Sequence, residues 1–393
     1  MPETIFPAAA AVRVEQYDRA VILEALRNQA GLLGLAADHF AGKRVVLKPN
    51  LVAAMAPGEA ATTDPVFLAA VADFLREYGA ADLLLAESPG GIYSEAALRR
   101  VYKACGILDI AEEIGVTLNY HADAVTVNAP HAEVCRAFHI LRPIAEADVI
   151  VDLCRLKSHS LTRYSGAVKN FFGVIPGVEK FEMHSAYPAV PVFSGMIVDL
   201  CDMLCRNHEI LAIGDGIVAM EGNGPTGGTP RPVGVLLMSQ SPFSLDAAAE
   251  EILGCAGAVS ITEEARRRGL CSPLGQTEAR GTPLAEFALT DFRAPDASGG
   301  KLGSKILRNL PNLFGGKLAA FFSPRPRIDA EKCVGCGVCA QSCPRHVIEI
   351  RQTKQGKRAV IDDSGCIRCF CCQELCPLHA VHIKQNPLIR FLH

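Results

Sequence analysis

Tryptophan is absent from the 393-residue chain, and only 6% of its residues are aromatic. A surface that stacks nucleic-acid bases or sugars needs several exposed aromatic rings, so this shortage argues against both kinds of binding. The chain also lacks any uninterrupted apolar run of about 18 residues, the length that a transmembrane helix requires. We therefore expect no nucleic-acid partner and no transmembrane segment.

The N-terminal residues carry no recognisable export signal. Met1–Pro7 lacks a basic segment followed by an apolar core, and it contains no twin arginine. The chain has sixteen cysteines, nine of them within residues 333–376 at metal-ligand spacing, which does not resemble a secreted disulfide framework. We expect a cytoplasmic protein in a cell or niche that is poor in oxygen.

Negative charge dominates most of the chain, although the net charge is only −3. Residues 1–298 have 24 Lys+Arg and 36 Asp+Glu, a net charge of −12, and residues 299–328 have six basic and no acidic residues. Residues 329–393 have nine basic and six acidic residues, a net charge of +3. An acidic body without a broad basic face again argues against nucleic-acid binding.

Strand-like and helix-like patterns alternate through residues 1–298. Strands are predicted at residues 12–17, 44–48, 82–87, 116–120, 148–153, 210–213 and 233–238, and helices at 18–28, 64–78, 94–104, 193–206 and 245–253. Nearly continuous apolar strands that alternate with helices indicate a mainly parallel α/β sheet flanked by helices. We take residues 1–298 as one α/β domain, within a chain long enough for two or three domains.

Polar groups follow several of the predicted strands directly. They are Lys48-Pro49-Asn50, Glu87-Ser88, Lys157-Ser158-His159 and Asp215-Gly216. In open α/β sheets, ligands bind beyond the carboxyl ends of the strands. The pattern therefore predicts a shared cleft at that edge of the sheet.

Residues 299–328 form a predicted linker, rich in Gly, Pro, apolar and basic residues. A basic amphipathic helix on a membrane surface is one interpretation. A connector that packs against the core is the one we favour, because three prolines shorten any helix in this segment. Peripheral membrane contact is accordingly not expected.

Two cysteine runs near the C-terminal end share one spacing. The first is Cys333-x-x-Cys336-x-x-Cys339-x-x-x-Cys343-Pro344, and the second is Cys366-x-x-Cys369-x-x-Cys372-x-x-x-Cys376-Pro377. The runs repeat 33 residues apart, which indicates an internal duplication. This spacing is typical of bacterial two-cluster ferredoxins, so residues 329–393 are predicted to be a small α+β ferredoxin-like domain with two [4Fe–4S] clusters.

The fourth cysteine of each such run ligates the cluster of the other run. The predicted ligand sets are therefore Cys333, Cys336, Cys339 and Cys376 for the first cluster, and Cys366, Cys369, Cys372 and Cys343 for the second. A zinc ribbon is the alternative, but it does not need the triple spacing followed by x-x-x-Cys-Pro. Cys371 is a ninth cysteine here, and we interpret it as a spare buried thiol rather than a substitute ligand.

The N-terminal part resembles the domain of unknown function 362 family of iron–sulfur proteins, which are often fused to such a ferredoxin tail. The matching stretches are Val46–Leu51, Ala61–Pro65, Leu156–Thr162, Gly166–Gly173 and Asp215–Pro225, with Cys369–Pro377 in the tail. The resemblance covers nearly the whole chain. It implies a redox or metal-linked role inside the cell, and it names no substrate.

Several polar residues of these stretches are candidates for one site. We assign catalytic roles to Lys157, His159, Lys169 and His184, and substrate binding to Lys48, Asn50, Asn170, Asp215 and Glu221. The lysines suit an anionic ligand such as a carboxylate or phosphate, and the histidines suit proton transfer or metal binding. For each residue taken alone, a helix cap, an ion pair or a satisfied core group is the more ordinary explanation.

Two further patterns are interpreted as structural. Gly222–Gly227 matches G-x-G-x-x-G, but prolines at 225, 230 and 232 forbid the helix that a dinucleotide fingerprint needs. We expect a tight glycine turn there instead, with its backbone N–H groups near a ligand. Cys201, Cys205 and His208 share a helix face, where small buried thiols are more usual than a metal site.

The sequence thus favours an oxidoreductase, in which two [4Fe–4S] clusters relay electrons to a substrate or a further metal or organic cofactor in the α/β cleft. The alternative is an electron carrier or maturation factor whose α/β domain docks a protein partner without catalysis. A third interpretation gives the clusters a purely structural role. The expected partners are a redox protein or a small anionic substrate.

Overall fold

The computed structural model describes residues 6–298 and 324–384, with the exception of residues 92, 122 and 355. These residues form an α/β domain around one large sheet and a smaller domain that carries the two cysteine runs. Residues 299–323 of the predicted linker lie outside the described part of the chain, as do residues 385–393.

Eleven strands belong to the α/β domain. They are β1 (Ala9–Arg13), β2 (Val45–Pro49), β3 (Leu83–Leu85), β4 (Val116–Leu118), β5 (Ala124–Asn128), β6 (Ala137–Leu141), β7 (Val149–His159), β8 (Arg163–Ser165), β9 (Glu209–Asn223), β10 (Gly227–Ser239) and β11 (Ala279–Gly281). The sheet order is β11-β1-β10-β9-β7-β2-β3-β4, with β8 paired to β7 and with β5 and β6 forming a separate hairpin.

The middle of the sheet is parallel, as the sequence predicts. Strands β9, β7, β2, β3 and β4 pair in parallel, whereas β10 pairs antiparallel with both β9 and β1. The fold is therefore α/β with a mostly parallel sheet flanked by helices. The hydrophobic core lies in two layers, one on each face of the sheet.

Ten α-helices of this domain are described. They are α1 (Arg19–Leu33), α2 (Pro65–Glu77), α3 (Glu95–Ala104), α4 (Ile107–Ile110), α5 (Arg142–Ala145), α6 (Ala167–Asn170), α7 (Glu179–Ala186), α8 (Val190–Asn207), α9 (Pro242–Ile252) and α10 (Ser260–Arg267). Short 3₁₀ turns occur at Pro57–Glu59, Phe171–Val174, Leu284–Glu286 and Asp296–Ser298. No helix in the described part is both long and apolar enough to cross a membrane.

Local sequence signals set several helix starts. Asp18 accepts hydrogen bonds from the first backbone N–H groups of α1, and Ser94 does the same for α3. Asp64 caps α2, whose first residue is Pro65, a proline in the position where its missing N–H is not needed. These caps lie where the sequence predicts helix starts.

The strand predictions differ from the structure mainly in length. The first strand is β1, which ends at Arg13, so the prediction at residues 12–17 was displaced toward the loop. Strand β9 runs ten residues beyond the predicted end at Ile213, and it joins β10 in a long hairpin. This extension matters for the site, because it places Asp215 within a strand rather than after one.

The small domain comprises β12 (Arg325–Ile328), α11 (Val338–Gln341), β13 (Ile348–Thr353), β14 (Gly356–Ile361), α12 (Cys371–Glu374) and β15 (Val381–Lys384). Strand β12 pairs antiparallel with β15, and β13 pairs with β14. The predicted linker therefore extended too far, because residues 325–328 already form a strand of the small domain. Pairing with a strand more than fifty residues away cannot be read from local composition.

Candidate functional site

Two small cavities in the small domain are each lined by four cysteines. Cys333, Cys336, Cys339 and Cys376 line one, and Cys343, Cys366, Cys369 and Cys372 line the other. These are the two sets that the spacing predicts, with the fourth cysteine exchanged between the runs. We call them the first and second cysteine sets. All sixteen cysteines are free thiols, so none of these sulfurs is lost to a disulfide.

The arrangement of the sulfurs fits an iron–sulfur cluster better than a zinc ion. Within the described residues, no group of three or more His, Cys, Asp or Glu side chains converges closely enough to hold a single metal ion. Four cysteines spread around one cavity instead suit a polynuclear cluster, whose iron atoms each take one thiolate. Backbone N–H groups also point at the sulfurs, as from Ala380 to Cys376 Sγ at 3.2 Å.

A third cavity, of about 90 Å³, lies between the α/β domain and the small domain. We call it the interdomain cavity. One water molecule needs only about 10–15 Å³, so the space can hold a small ligand. From the α/β domain it is lined by polar residues Asn50, Glu87, Ser88, Lys157, His159, Lys169, Asn170, Lys180 and His184, and from the small domain by Cys371, Glu374 and Leu375.

Parallel strands deliver the α/β part of this lining. Strands β2, β7 and β9 run side by side, so that their carboxyl ends meet at one edge. Asn50 follows β2 directly, and Lys157 and His159 are the last residues of β7 to face the edge. The predicted cleft beyond the strand ends is therefore where the sheet places these side chains.

Two short helices, α6 and α7, supply four further polar residues of the lining. Helix α6 carries Lys169 and Asn170, and its first N–H groups, from Ala167 and Val168, bond the buried Asp246 carboxylate at 2.7 and 3.0 Å. Helix α7 presents Lys180 and His184 four residues apart, so both side chains share one face. Asp246 thus fixes the loop that holds Lys169.

A hydrogen-bond network ties the floor of the cavity together. Lys157 Nζ donates to Asn50 Oδ1 at 2.6 Å and to the Ala61 carbonyl at 2.7 Å. Asn50 Nδ2 donates to Asn170 Oδ1 at 2.7 Å, and Asn170 Nδ2 donates to Asp152 Oδ1 at 2.6 Å. The network fixes each amide, and it leaves Lys157 with one N–H free to bind a ligand.

Three lysines of the cavity lack a carboxylate partner. No carboxylate oxygen of the described residues lies within ion-pair distance of Lys157, Lys169 or Lys180. Lys180 donates a very short hydrogen bond to the Ser88 carbonyl, and Lys169 has only a ring contact, 5.5 Å from the Phe172 centroid. Glu374 interacts with all three lysines and offsets part of their charge, and the remaining excess of positive charge favours an anion.

Burial lowers the pKa of each of these lysines. The pKa of Lys157 falls to about 7, because of burial first and of the neighbouring Lys169 second. The pKa of Lys180 also falls to about 7 through burial, with Glu87 opposing the shift. Burial lowers the pKa of Lys169 as well. The cavity therefore takes up or releases protons near neutral pH.

Both histidines are held neutral. His159 Nδ1 accepts backbone hydrogen bonds from Leu161 and Thr162, at 3.1 and 3.4 Å, so the ring proton must be on Nε2. Burial, with Lys169 and Lys157, keeps the pKa of His159 well below its usual value. The ring of His184 stacks on Phe193 at 4.4 Å, and burial lowers the pKa of His184 to about 3.

The small domain closes the cavity through α12. Its Glu374 Oε1 lies 3.2 Å from His159 Nε2, although the geometry is not that of a hydrogen bond. Thr226 Oγ1 donates to the Glu374 carbonyl at 2.8 Å, and Gln373 Nε2 donates to the Asn223 carbonyl at 2.9 Å. These contacts hold α12 against the tip of the β9–β10 hairpin.

Three of the predicted substrate-binding residues do not line the cavity. Lys48 is fully buried behind it and forms an ion pair with Glu87 at 2.7 Å. Asp215 is also buried and pairs with Arg155 at 2.8 Å, opposite it on β7. Glu221 pairs with Arg293 at 2.7 Å near the hairpin tip. Their contacts are structural, and only Lys48 touches a residue of the lining.

Some lining residues were missed in the sequence. Lys180 lies in a helix with no strand-end signal, and it donates to the carbonyl of Ser88, a residue that the strand-end pattern already predicts at the cleft. Glu374 is the acidic residue between Cys372 and Cys376, so its closeness to a cluster ligand was a usable signal. Its contact with the α/β domain depends on how the two domains pack, which local patterns do not encode.

The glycine-rich stretch forms a tight turn, as expected, and its Pro225 lines the interdomain cavity. Residues 224–226 form the turn of the β9–β10 hairpin, and no helix begins there. The Gly224 carbonyl accepts hydrogen bonds from Ser160, and the Asn223 carbonyl accepts one from Gln373 of α12. The N–H groups of Gly222 and Gly224 donate to the carbonyls of Arg293 and Gly222, so both kinds of backbone group in this stretch bond protein atoms. Cys201 is buried, and His208 bonds the Ala147 carbonyl.

Comparison with known proteins agrees with this layout. Residues 45–251 match a family described as Domain of unknown function (DUF362), and residues 325–377 match a 4Fe-4S dicluster domain. The second match supports iron–sulfur clusters in the small domain and a role in electron transfer. It also begins at Arg325, where β12 begins.

Similar individual proteins give less information about chemistry. A thylakoid-associated protein from Synechocystis is 31% identical over 265 residues, which are 65% of this chain and 78% of that protein. Two solved structures, a Thermotoga maritima protein and a lactate racemase apoprotein from Thermoanaerobacterium thermosaccharolyticum, are 14% and 12% identical. Each matches 65% of this chain and 60% or 59% of its own, with a TM-score of 0.38.

Proposed function

We propose that this chain, which belongs to the DUF362 family and carries a 4Fe-4S dicluster domain, is an oxidoreductase that exchanges electrons with a small anion bound in the interdomain cavity. The observation that carries the proposal is the position of α12. This helix includes the cluster ligand Cys372 of the second set, and its Cys371 and Glu374 line the cavity. One helix therefore separates the ligand from the predicted redox centre.

The charge of the cavity selects the ligand. Lys157, Lys169 and Lys180 face the space, and Glu374 is the acidic side chain opposite them, because Glu87 is already paired with Lys48. With the three lysines protonated and Glu374 ionised, two positive charges remain. A small molecule with one or two negative charges, such as a short carboxylate or an inorganic oxyanion, fits both this charge and the volume.

Hydrogen-bond donors fix the orientation of the anion. Lys157 keeps one free N–H after bonding Asn50 and Ala61, and Lys169 keeps all three. His159 adds a donor at Nε2, which is buried and without a hydrogen bond. Leaving such a donor unpaired costs about 1–3 kcal/mol, so a bound oxygen acceptor is favoured.

Proton supply belongs to the lysines rather than to the histidines. His159 cannot gain a second proton without losing its backbone hydrogen bonds at Nδ1, and His184 has a pKa of about 3. Lys157 and Lys180, whose pKa values fall to about 7, can give up a proton at neutral pH. His159 thus serves as a hydrogen-bond donor, and His184 lines the cavity with its aromatic ring.

The [4Fe–4S] clusters that the two cysteine sets would hold supply single electrons at low potential. Cys343 and Cys372 of the second set are buried, as is Phe370, whereas Cys366 and Cys369 are partly exposed. Cys371 lines the cavity and hydrogen-bonds Cys369, so it connects the cavity lining with the second set.

Reoxidation kinetics test the proposal. Protein purified without oxygen is photoreduced, and a panel of small anions is added in an anaerobic stopped-flow instrument. We expect one class of anion to restore the cluster absorbance with a saturable rate, and Lys169→Met to slow that rate about tenfold or more.

Methyl viologen, a cationic acceptor that needs no lysine, serves as the control and should reoxidise both proteins equally. If no anion reoxidises the wild type while methyl viologen does, the chain is a carrier or accessory protein and the oxidoreductase proposal is wrong.

A further inference from the structure

The two cysteine sets have different surroundings. The second set lies beside α12, which is packed against the α/β domain. The first set lies at the surface of the small domain. Its cavity is bordered by Val334 and Leu378, which are 59% and 44% exposed, and Cys336 itself is exposed. Cys372 of the second set therefore lies on the helix that borders the interdomain cavity, whereas Cys336 of the first set is exposed to solvent.

Positive charge flanks this exposed apolar pair. Lys332 precedes the first ligand, and Lys357 packs against Gly335, where an added Cβ would be 2.7 Å from the lysine Cβ. Both lysines are exposed, and neither pairs with a carboxylate among the described residues. Glu331 and Asp329 lie beside Lys332 and offset its charge, so Lys357 carries the positive charge of this face.

We propose that this face is the docking surface for an acidic one-electron carrier protein. We call it the entry face, and it consists of Lys332, Val334, Cys336, Lys357 and Leu378. The apolar pair supplies contact area next to the first set, and the lysines supply the charge that attracts the partner.

The charge of the whole chain favours an acidic partner at this position. The α/β part has a net charge of −12 over residues 1–298, whereas residues 329–393 have +3. An acidic carrier is repelled by the larger domain and attracted by the smaller one, which orients the encounter. The apolar area is small, and this is typical of transient electron-transfer complexes.

With the anion as the electron acceptor, electrons enter at this face, and this part rests on the proposed function. The reduced carrier loses one electron at each encounter and the chain gains one, with no bond made or broken. Two encounters supply a two-electron change at the interdomain cavity. The carrier thus binds at the entry face, and the small anion binds beside α12.

Binding of two probes to anaerobically purified, cluster-loaded protein tests the inference. The probes are an oxidised plant-type [2Fe–2S] ferredoxin with an acidic surface and cytochrome c with a basic one, titrated by calorimetry at low ionic strength. We expect ferredoxin binding that depends on Lys357, whereas binding of cytochrome c, which the acidic α/β domain attracts, should not be weakened by Lys357→Glu. Lys357→Glu should weaken ferredoxin binding about fivefold or more, and added salt should weaken it further.

Arg345→Glu is the matched control, because it makes the same charge change on an exposed residue beside the second set. We expect it to change the affinity less than about twofold. Equal effects of the two variants, or ferredoxin binding that Lys357→Glu does not weaken, would overturn the inference. If the Lys357→Glu protein loses iron, the Lys332→Glu protein is used in its place for the binding test.

These outcomes are distinct from those of the proposed function. Lys169→Met alters the interdomain cavity and should leave ferredoxin binding unchanged. Lys357→Glu should in turn leave anion binding unchanged. Failure of one account therefore does not imply failure of the other.

Discussion

His159 Nε2 and Glu374 Oε1 lie 3.2 Å apart across the boundary between the α/β domain and the small domain. Both atoms are buried, and neither makes a hydrogen bond of good geometry. The same boundary contains three lysines without carboxylate partners. Buried donors are normally satisfied, so His159 Nε2 and the lysine N–H groups at this boundary favour a bound oxygen acceptor.

The affinity of the cavity for an anion should fall as pH rises. The pKa values of Lys157 and Lys180 are lowered from 10.5 to about 7, so both lysines are charged below this value and neutral above it. Other charged or titratable groups that face them are Lys169, Glu87, Glu374, Arg155, His159 and His184. Sulfate is a suitable probe, because its own charge is constant over this range.

Calorimetry at pH 6.0 and 8.5 measures this effect. We expect sulfate to bind at least about tenfold more weakly at the higher pH, with proton uptake near pH 7–8 seen in buffers of different ionisation enthalpy. A pH-independent affinity without proton uptake would show that the two lysines stay charged.

Two lysine substitutions should have opposite effects on stability. Lys48→Met leaves the buried Glu87 carboxylate without its partner, which should lower the free energy of unfolding by about 3–5 kcal/mol. Lys169→Met removes an ammonium group that has no ion pair, so stability should stay the same or rise. Urea unfolding in anion-free buffer, followed by far-UV circular dichroism, compares them. Equal destabilisation would contradict the assignment of Lys169 as an unpaired cation.

Gly173→Ala should also disturb the ion pair between Lys48 and Glu87. A Cβ at this position would overlap Glu87 Oε1 and lie 2.7 Å from Lys48 Nζ. We expect a loss of about 2–4 kcal/mol of unfolding free energy in urea titrations. Gly31→Ala in α1 is the control, because its Cβ would meet no atom within 4 Å, and it should be neutral or slightly stabilising. A neutral Gly173→Ala would show that the pair has room to move.

Iron content distinguishes the ligand cysteines from Cys371. We expect about eight iron atoms and eight sulfides per chain in protein purified without oxygen. Cys371→Ala should keep this number, because each cysteine set is complete without it. Cys366→Ala should lose one cluster, and the iron content should fall toward about four. A loss of iron in Cys371→Ala would identify that thiol as a ligand.

Local sequence patterns predict much of this architecture and part of the site. Strand ends predict the positions of Asn50, Lys157 and His159, because the carboxyl ends of parallel strands must meet at one edge. Cysteine spacing predicts both sulfur sets, since the ligands of a cluster loop are close in sequence. In these cases the information is local.

The remaining features depend on contacts between distant segments. Asp215 was placed after a strand, but β9 continues to Asn223, and the sheet register sets Asp215 opposite Arg155. Lys180 and Glu374 enter the cavity only through the packing of α7 and the docking of the small domain. Neither the packing of α7 nor the docking of the small domain produces a periodic pattern in the sequence.

Calorimetric titration of anaerobically purified protein at pH 6.5 with phosphate, sulfate, sulfite and short mono- and dicarboxylates tests the central claim most directly. The account predicts one saturable site per chain for at least one of these anions, with affinity reduced about tenfold or more in Lys169→Met and unchanged in Arg345→Glu. No saturable binding of any of these anions, or equal binding by both variants, would contradict an anion site between the two domains.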